Sequence, residues 1–294
     1  MKLVKSLFGP KTRGRSISFA LVIVAYIVIS ILQSAGSIPR MISSLLVPVC
    51  CYIVAAIGLN MNVGISGELN LGQAGFMSVG GFSAAITNAV LLNTVSNDFV
   101  RLLICIVIGA LIAGFVGWLI SIPVLKLEGD YLAIVTLAFG EIIKNVMNVL
   151  YVGRDSKGFH FSIKDATALN MDTDGELIVN GAKGITATPH QSTFTIGVIL
   201  IILSLIVVYN LVNSRSGRAI TATRDNRIAA ESVGIDVTKF KLLAFTVSAA
   251  LAGVAGVLYA HNLSMLKVSG FDYNMSILIL VYVVLGGIGN LRGS

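Results

Sequence analysis

Long apolar runs alternate with short polar segments along almost the whole chain. A helix that crosses a bilayer needs about 20 mostly apolar residues, and several runs approach or reach that length. The pattern predicts spans near residues 17–32, 41–59, 72–92, 102–125, 131–150, 193–212, 242–260 and 275–289. We therefore expect an all-α, polytopic helical membrane protein, with about eight transmembrane helices in one domain covering residues 1–294.

A Gly-rich segment, residues 58–75, interrupts the second and third runs with glycines and polar side chains. Irregular backbone at membrane depth persists only where protein or a watery cavity satisfies its N–H and C=O groups. Discontinuous helices of this kind often line a permeation path, although a plain cytosolic turn is an equal alternative on spacing alone. The candidate pathway residues are Asn60, Gly64, Gly67, Glu68, Asn70, Gly72 and Gln73.

A basic segment, residues 213–241, separates the sixth and seventh predicted spans. Asp225 is a good N-cap residue for a short helix over residues 226–233, and Gly234 is a natural terminator with positive φ. Asp236 can cap the helix that follows. The segment is either a short rigid helix that receives force from a soluble partner or an ordinary solvated loop, because basic cytoplasmic loops are common.

The distribution of Lys and Arg predicts the orientation. Five basic residues precede the first span, and six lie in the basic segment. With eight spans and a cytosolic N-terminus, both regions fall inside, as the positive-inside rule expects. The long loop at residues 151–192 then lies outside. The basic start is followed by an apolar run without a small-residue cleavage site, which indicates a retained anchor rather than a cleaved signal.

Composition excludes several functions. Charged residues make up 12% of the chain, against about a quarter in soluble domains, so the net charge of +7 reflects topology and not nucleic-acid binding. The three cysteines lie in apolar runs and the three histidines are scattered, so we expect no disulfide, metal or cofactor. No Gly-Lys dipeptide exists for a Walker A loop, and no catalytic residues are evident.

Two further patterns concern the interior of the spans. Glu141 and Lys144 are three residues apart on one helical face within a predicted span. Charges in hydrocarbon are costly and often functional, but this spacing favours a structural ion pair. Small residues recur at every fourth position in the fourth and seventh spans, which predicts close helix packing.

Three separated motifs resemble one family. The run Ile228-Ala-Ala-Glu-Ser-Val-Gly234 resembles the E-A-A-x-x-x-G loop of ABC importer permeases, with Ile228 where many have an acid. The wider run around it resembles branched-chain amino-acid permeases of the LivM type in particular. The segments 58–76 and 127–137 support this resemblance, which covers most of the chain from Gly58 onward.

The resemblance implies a permease subunit of an ABC importer that moves branched-chain amino acids inward. ATP would be bound by separate cytosolic ATPase subunits, with a second permease subunit, an extracytoplasmic binding protein and the lipid bilayer as further partners. The expected location is a bacterial or archaeal cell (inner) membrane. The implied ATPase-coupling residues are Arg224, Asp225, Ile228, Ala229, Ala230, Glu231 and Gly234.

Two other functions remain to be considered from the sequence. A secondary transporter of a small polar solute would use Glu68 or Glu141 as its ion-coupling group, whereas a membrane enzyme is disfavoured by the missing catalytic residues. The 151–192 loop either contacts a binding protein or has no role. The family usually continues past the motif at residues 286–293, so we expect a truncated C-terminus.

Overall fold

The computed structural model describes residues 13–36, 38–92, 94–127, 129–155, 158–165, 169, 175–186 and 190–293, and these form a largely helical bundle. The α-helices are Arg13–Ser34 (α1), Arg40–Asn60 (α2), Gln73–Leu91 (α3), Asp98–Val124 (α4), Asp130–Asn148 (α5), Phe194–Asn213 (α6), Arg215–Asp225 (α7), Arg227–Ser232 (α8), Val237–Ala260 (α9) and Tyr273–Gly286 (α10). The strands are Tyr151–Asp155 (β1), Gly158–Ser162 (β2), Glu176–Asn180 (β3), Ile185–Thr186 (β4) and Met265–Leu266 (β5).

Seven segments in the described part of the chain are long and apolar enough to cross a membrane, which confirms a polytopic helical membrane protein. They correspond to seven of the eight predicted spans. The remaining prediction, near residues 131–150, is present as helix α5, but this helix is not among the seven. Glu141, Lys144 and two asparagines dilute its apolar residues.

Helix α5 nevertheless runs the length of the bundle. Arg224 of α7 contacts Gly64, just before α3 begins, whereas Arg154 of β1 donates hydrogen bonds to the carbonyl oxygens of Ala89 and Val90 at the far end of α3. Helix α5 packs beside the start of α3 and leads directly into β1. The loops on either side of α6, at residues 151–192 and 213–241, therefore lie at opposite ends of the bundle.

The break after the second span is shorter than the sequence indicates. Helix α2 continues without interruption into a π-helix, Met61–Ser66, so the predicted irregular start at residue 58 is wrong. Gly67 ends the π-helix in the left-handed region with φ +77°. Only residues 67–72 are irregular before α3 begins. The helical hydrogen bonds satisfy the buried backbone up to that point, as the membrane interior requires.

The centre of the bundle is α9, which packs against α2, α3 and α4. A Cβ atom on Gly80 of α3 would lie 2.4 Å from the Cα of Gly253 in α9. One on Gly117 of α4 would lie 2.3 Å from the Cβ of Ala249. Gly117 belongs to the small-residue row predicted in the fourth span, and it packs against another helix of this chain. The three cysteines are buried and free, as predicted.

The 151–192 loop contains short strands that the sequence did not predict. Strands β2, β1 and β3 form an antiparallel sheet in that order, and β4 pairs with β5. Between Gly153 and Val152 the pairing of β1 with β3 shifts register at a bulge. Parts of this loop, residues 156–157, 166–168, 170–174 and 187–189, lie outside the described residues.

Candidate coupling and pathway site

The basic segment folds as two helices rather than one. Helix α7, Arg215–Asp225, follows α6 almost directly and was not predicted. Helix α8 begins at Arg227, and its N-cap is Asn226, whose side-chain oxygen accepts a hydrogen bond from Ala229 N at 3.0 Å. The predicted cap, Asp225, is wrong because α7 continues through Asp225, whose carboxylate lies 2.9 Å from the guanidinium of Arg224.

The predicted coupling residues of α8 are mostly on the surface. Ile228 is 80% exposed, and Ala229 and Glu231 are also exposed. Ala230 is only 3% exposed, so its small size fits packing within this chain. Gly234 has φ +83°, which confirms it as the left-handed terminator of the helix.

Asp236 caps α9 as predicted. Its carboxylate accepts a hydrogen bond from Lys239 N at 3.1 Å, and α9 begins at Val237. Helix α9 is therefore already formed before the apolar run that begins at Leu242. A continuous helix thus joins the end of the basic segment to the centre of the bundle.

Two contacts join the basic segment to the π-helix and the break that follows it. The guanidinium of Arg224 donates a hydrogen bond to the carbonyl oxygen of Gly64 at 2.8 Å. The ammonium of Lys241 forms an ion pair with Glu68, which is 7% exposed. Gly67 lies under Arg224, since a Cβ atom there would be 2.6 Å from the Arg224 Cγ. The exposed helices and the buried break are thus in direct contact.

Two of the candidate pathway residues, Asn60 and Gly64, contact the turn that follows α10. The side-chain oxygen of Asn60 accepts a hydrogen bond from Gly289 N at 2.8 Å. A Cβ atom on Gly64 would lie 2.3 Å from the same Gly289 nitrogen. Asn60 and Gly64 are both buried, so in this conformation they face protein rather than an open channel.

The remaining candidates stabilise the entry into α3. The side-chain oxygen of Asn70 accepts a hydrogen bond from Gly72 N at 2.9 Å, and its amide nitrogen lies 3.4 Å from the side-chain oxygen of Gln73. A Cβ atom on Gly72 would lie 2.5 Å from the carbonyl oxygen of Thr136 in α5. These residues form a closed hydrogen-bonded turn between α3 and α5.

Buried polar atoms without a partner are concentrated at the π-helix. Both amide atoms of Asn62, the hydroxyl of Ser66 and the Oε2 atom of Glu68 have no hydrogen-bond partner in the described part of the chain. Buried polar groups in proteins are nearly always paired. Asn62 and Ser66 are absent from the predicted site, although their polarity within the Gly-rich segment could have indicated them.

The ion pair on α5 has the geometry that its spacing predicts. The ammonium of Lys144 lies 2.8 Å from the Glu141 carboxylate, and both side chains are partly buried on α5. The pair follows Gly140, which packs against the start of α3. The predicted ion pair between Glu141 and Lys144 is thus confirmed.

Comparison with known proteins decides the family. Residues 41–294 match the family described as branched-chain amino acid transport system / permease component. The chain belongs to this family. The permease is a component of a branched-chain amino acid ABC transport system and is not itself an enzyme.

Individual relatives agree with this assignment. The permease is 34% identical to the high-affinity branched-chain amino acid transport system permease protein LivM of Escherichia coli (strain K12), over 98% of this chain and 69% of that protein. Identity to the LivM of Salmonella typhimurium is 32% over the same shares. A probable LivH of Methanocaldococcus jannaschii is 28% identical over 82% of this chain and 72% of its own length. No solved structure matches the chain.

Proposed function

We propose that the permease forms one half of a pathway that carries branched-chain amino acids inward, driven by ATPase subunits that dock on α7 and α8. The observation that carries this proposal is the hydrogen bond from Arg224 to Gly64. It joins an exposed helical segment to the buried π-helix. A partner that pushes on α8 thereby acts on the break in the membrane.

The surface of α8 suits a protein partner. Ile228 and Val233 expose apolar side chains to solvent in the basic segment. The small side chain of Ala229 is exposed on the same short helix as the charged residues Arg227 and Glu231. Exposed apolar side chains with a polar rim are typical of a docking surface. A docked ATPase would cover them.

The transmission route has two arms. Arg224 holds the π-helix, and Lys241 at the start of α9 holds Glu68 in the break. Because α9 is the centre of the bundle, a displacement of its first turn reaches α2, α3 and α4 together. The unpaired atoms of Asn62, Ser66 and Glu68 support a break that changes its partners during transport.

The orientation and the other partners belong to the same proposal. The basic segment is cytosolic by the positive-inside rule, which makes the N-terminus cytosolic and puts the 151–192 loop on the outer face, where a binding protein delivers substrate. Escherichia coli has both a LivM and a LivH named as permease proteins of this kind of system, and this chain is similar to each. We therefore include a second, LivH-like permease as the other half of the pathway.

The test is Ala229→Trp in the complete reconstituted complex. A bulky ring on the exposed face of α8 should prevent the ATPase from docking while the spans stay folded. The readouts are retention of the ATPase on the purified permease and substrate-stimulated ATP hydrolysis. Ala35→Trp is the matched control, because Ala35 is also exposed but follows α1 at the opposite end of the bundle.

We expect Ala229→Trp to lose both readouts and Ala35→Trp to keep them. Normal ATPase retention and stimulation with Ala229→Trp would show that α8 is not the docking surface. Equal losses in both variants would mean that the substitution disturbs folding generally and would remove the support for this site.

A further inference from the structure

The sheet in the 151–192 loop has one face turned toward the membrane helices. Arg154 of β1 donates hydrogen bonds to the carbonyl oxygens of Ala89 and Val90, 3.5 and 3.4 Å away at the end of α3. Val152, two residues earlier on the same strand, is completely buried in the core. Alternate residues of a strand share a face. The face that carries Val152 and Arg154 therefore points to the bundle.

The outer strand of the sheet carries two phenylalanines on this same face. Phe161 is paired with Val152 and Phe159 with Arg154 in the antiparallel register. Residues directly opposite each other in a sheet share a face. Phe159 and Phe161 are nevertheless 42% and 67% exposed. Strand β2 lies at the edge of the sheet, so its inward face extends beyond the helices that cover β1.

The other face of the hairpin is polar. Asp155 and His160 alternate with the apolar residues. The Asp155 side chain is buried, and its carboxylate lies 3.1 Å from the Nε2 atom of His160. Beyond β2, exposed Ile163 continues the apolar alternation and Lys164 follows it. The exposed side chains of β2 on the face of Val152 are thus apolar, whereas the polar pair on the opposite face is largely covered by protein.

We propose that this apolar face, formed by Phe159, Phe161 and Ile163, rests in the headgroup region of the bilayer beside α3. The side chains of this face point in the same direction as Val152 but lie beyond the helices that cover β1. We therefore expect them to contact lipid. Phenylalanine is among the side chains that interfacial amphipathic segments bury at the boundary between headgroups and acyl chains. The guanidinium of Arg154 lies 5.9 Å from the Phe159 ring centroid, and with Lys164 it offers positive charge to anionic headgroups.

A soluble protein is a weaker candidate for this face. The exposed apolar residues share the face of Val152 and Arg154, which is turned toward the membrane helices. A binding protein would approach from the aqueous side instead. The inference requires no assignment of which leaflet is outer, and it does not depend on ATPase docking at α8.

The test places a nitroxide spin label at Phe161→Cys or, as a matched control, at Ser162→Cys in the complete permease complex. Ser162 is the next residue on β2 and lies on the opposite face. The three natural cysteines are buried and can be replaced by serine or alanine in both variants if they react. The complex is reconstituted in nanodiscs of phosphatidylethanolamine and phosphatidylglycerol. Collision rates are measured with oxygen, which partitions into lipid, and with a water-soluble nickel chelate.

We expect the label at Phe161→Cys to collide preferentially with oxygen and the label at Ser162→Cys preferentially with nickel. Preference for nickel at both positions would overturn the proposal. The proposal would also be overturned if the label at Phe161→Cys were shielded from both reagents only when a binding protein or second permease is present. In that case the face would be a docking surface for protein. Oxygen preference at both positions would overturn the two-sided orientation.

Discussion

Replacement of Lys241 by methionine isolates the energetic role of its ion pair with Glu68. Glu68 is 7% exposed, and its other carboxylate oxygen has no partner in the described residues. Removing one partner of a buried ion pair costs about 3–5 kcal/mol, because the remaining charge stays desolvated. Lys241 is itself slightly accessible to solvent, so we expect the low end, about 3 kcal/mol, or roughly a hundredfold in the folding equilibrium.

The double variant Glu68→Leu with Lys241→Met separates charge from packing. Replacing both members of a buried pair with apolar side chains is often close to neutral. The double variant should therefore be more stable than Lys241→Met alone. The coupling energy between the two substitutions should then offset part of the stability that each substitution loses by itself. Lys239→Met is the matched control, because Lys239 lies two residues away and is exposed. It should change stability by no more than about 0.5 kcal/mol.

The measurement is the fraction of monodisperse permease that survives a denaturant or temperature series in a fixed detergent. ATP hydrolysis by the reconstituted complex is measured beside it. If Lys241→Met is as stable as Lys239→Met, Glu68 is not held by this pair. A double variant less stable than Lys241→Met would also refute the reasoning. A stable double variant that no longer stimulates ATP hydrolysis would support the pair as part of the transmission route.

Three other substitutions test separate parts of the structure. Glu141→Leu with Lys144→Met should preserve uptake better than either single change, because a lone intramembrane charge costs more than none; uptake lost only in the double variant, with the complex still assembled, would indicate a transport role. Gly72→Val should lower uptake and stability together, because its Cβ would lie 2.5 Å from a carbonyl oxygen of α5; unchanged uptake would contradict this contact. Gly234→Val and Gly36→Val both place valine at a positive φ with open space around it. The left-handed backbone conformation should cost each variant about 1–2 kcal/mol of stability. Only Gly234→Val should reduce ATPase stimulation, and equal effects would contradict a coupling role for α8.

The features that the sequence predicts well depend on local composition. A run of about 20 apolar residues indicates a span whatever surrounds it, and seven such spans are present. Glu141 and Lys144 lie one turn apart, so their ion pair follows from helix geometry alone. Gly234 is likewise a local signal, since few other residues adopt a positive φ after a helix.

The features that the sequence does not predict depend on distant contacts. The hydrogen bond from Arg224 to Gly64 joins residues 160 positions apart, and no periodicity indicates it. Asp225 and Asn226 are both good caps, and the choice between them is made by α7, which extends through Asp225. The composition of the Gly-rich segment predicts irregular backbone from residue 58, whereas the chain is helical to Ser66. In this helical part, Asn60 and Gly64 form hydrogen bonds with Gly289 and Arg224, which are distant in sequence.

The glycine contacts at the centre of the bundle also determine which parts of the permease can move. Gly80 meets Gly253 backbone to backbone, and Gly256 would place a Cβ atom 1.9 Å from the carbonyl oxygen of Met77. No side chain lies between these surfaces that could change its rotamer and let one helix slide past the other. We therefore expect α3 and α9 to move together as one rigid body. Opening and closing during a transport cycle then falls to hinges at its border, such as the left-handed Gly67, or to rotation of the whole body against a neighbouring subunit.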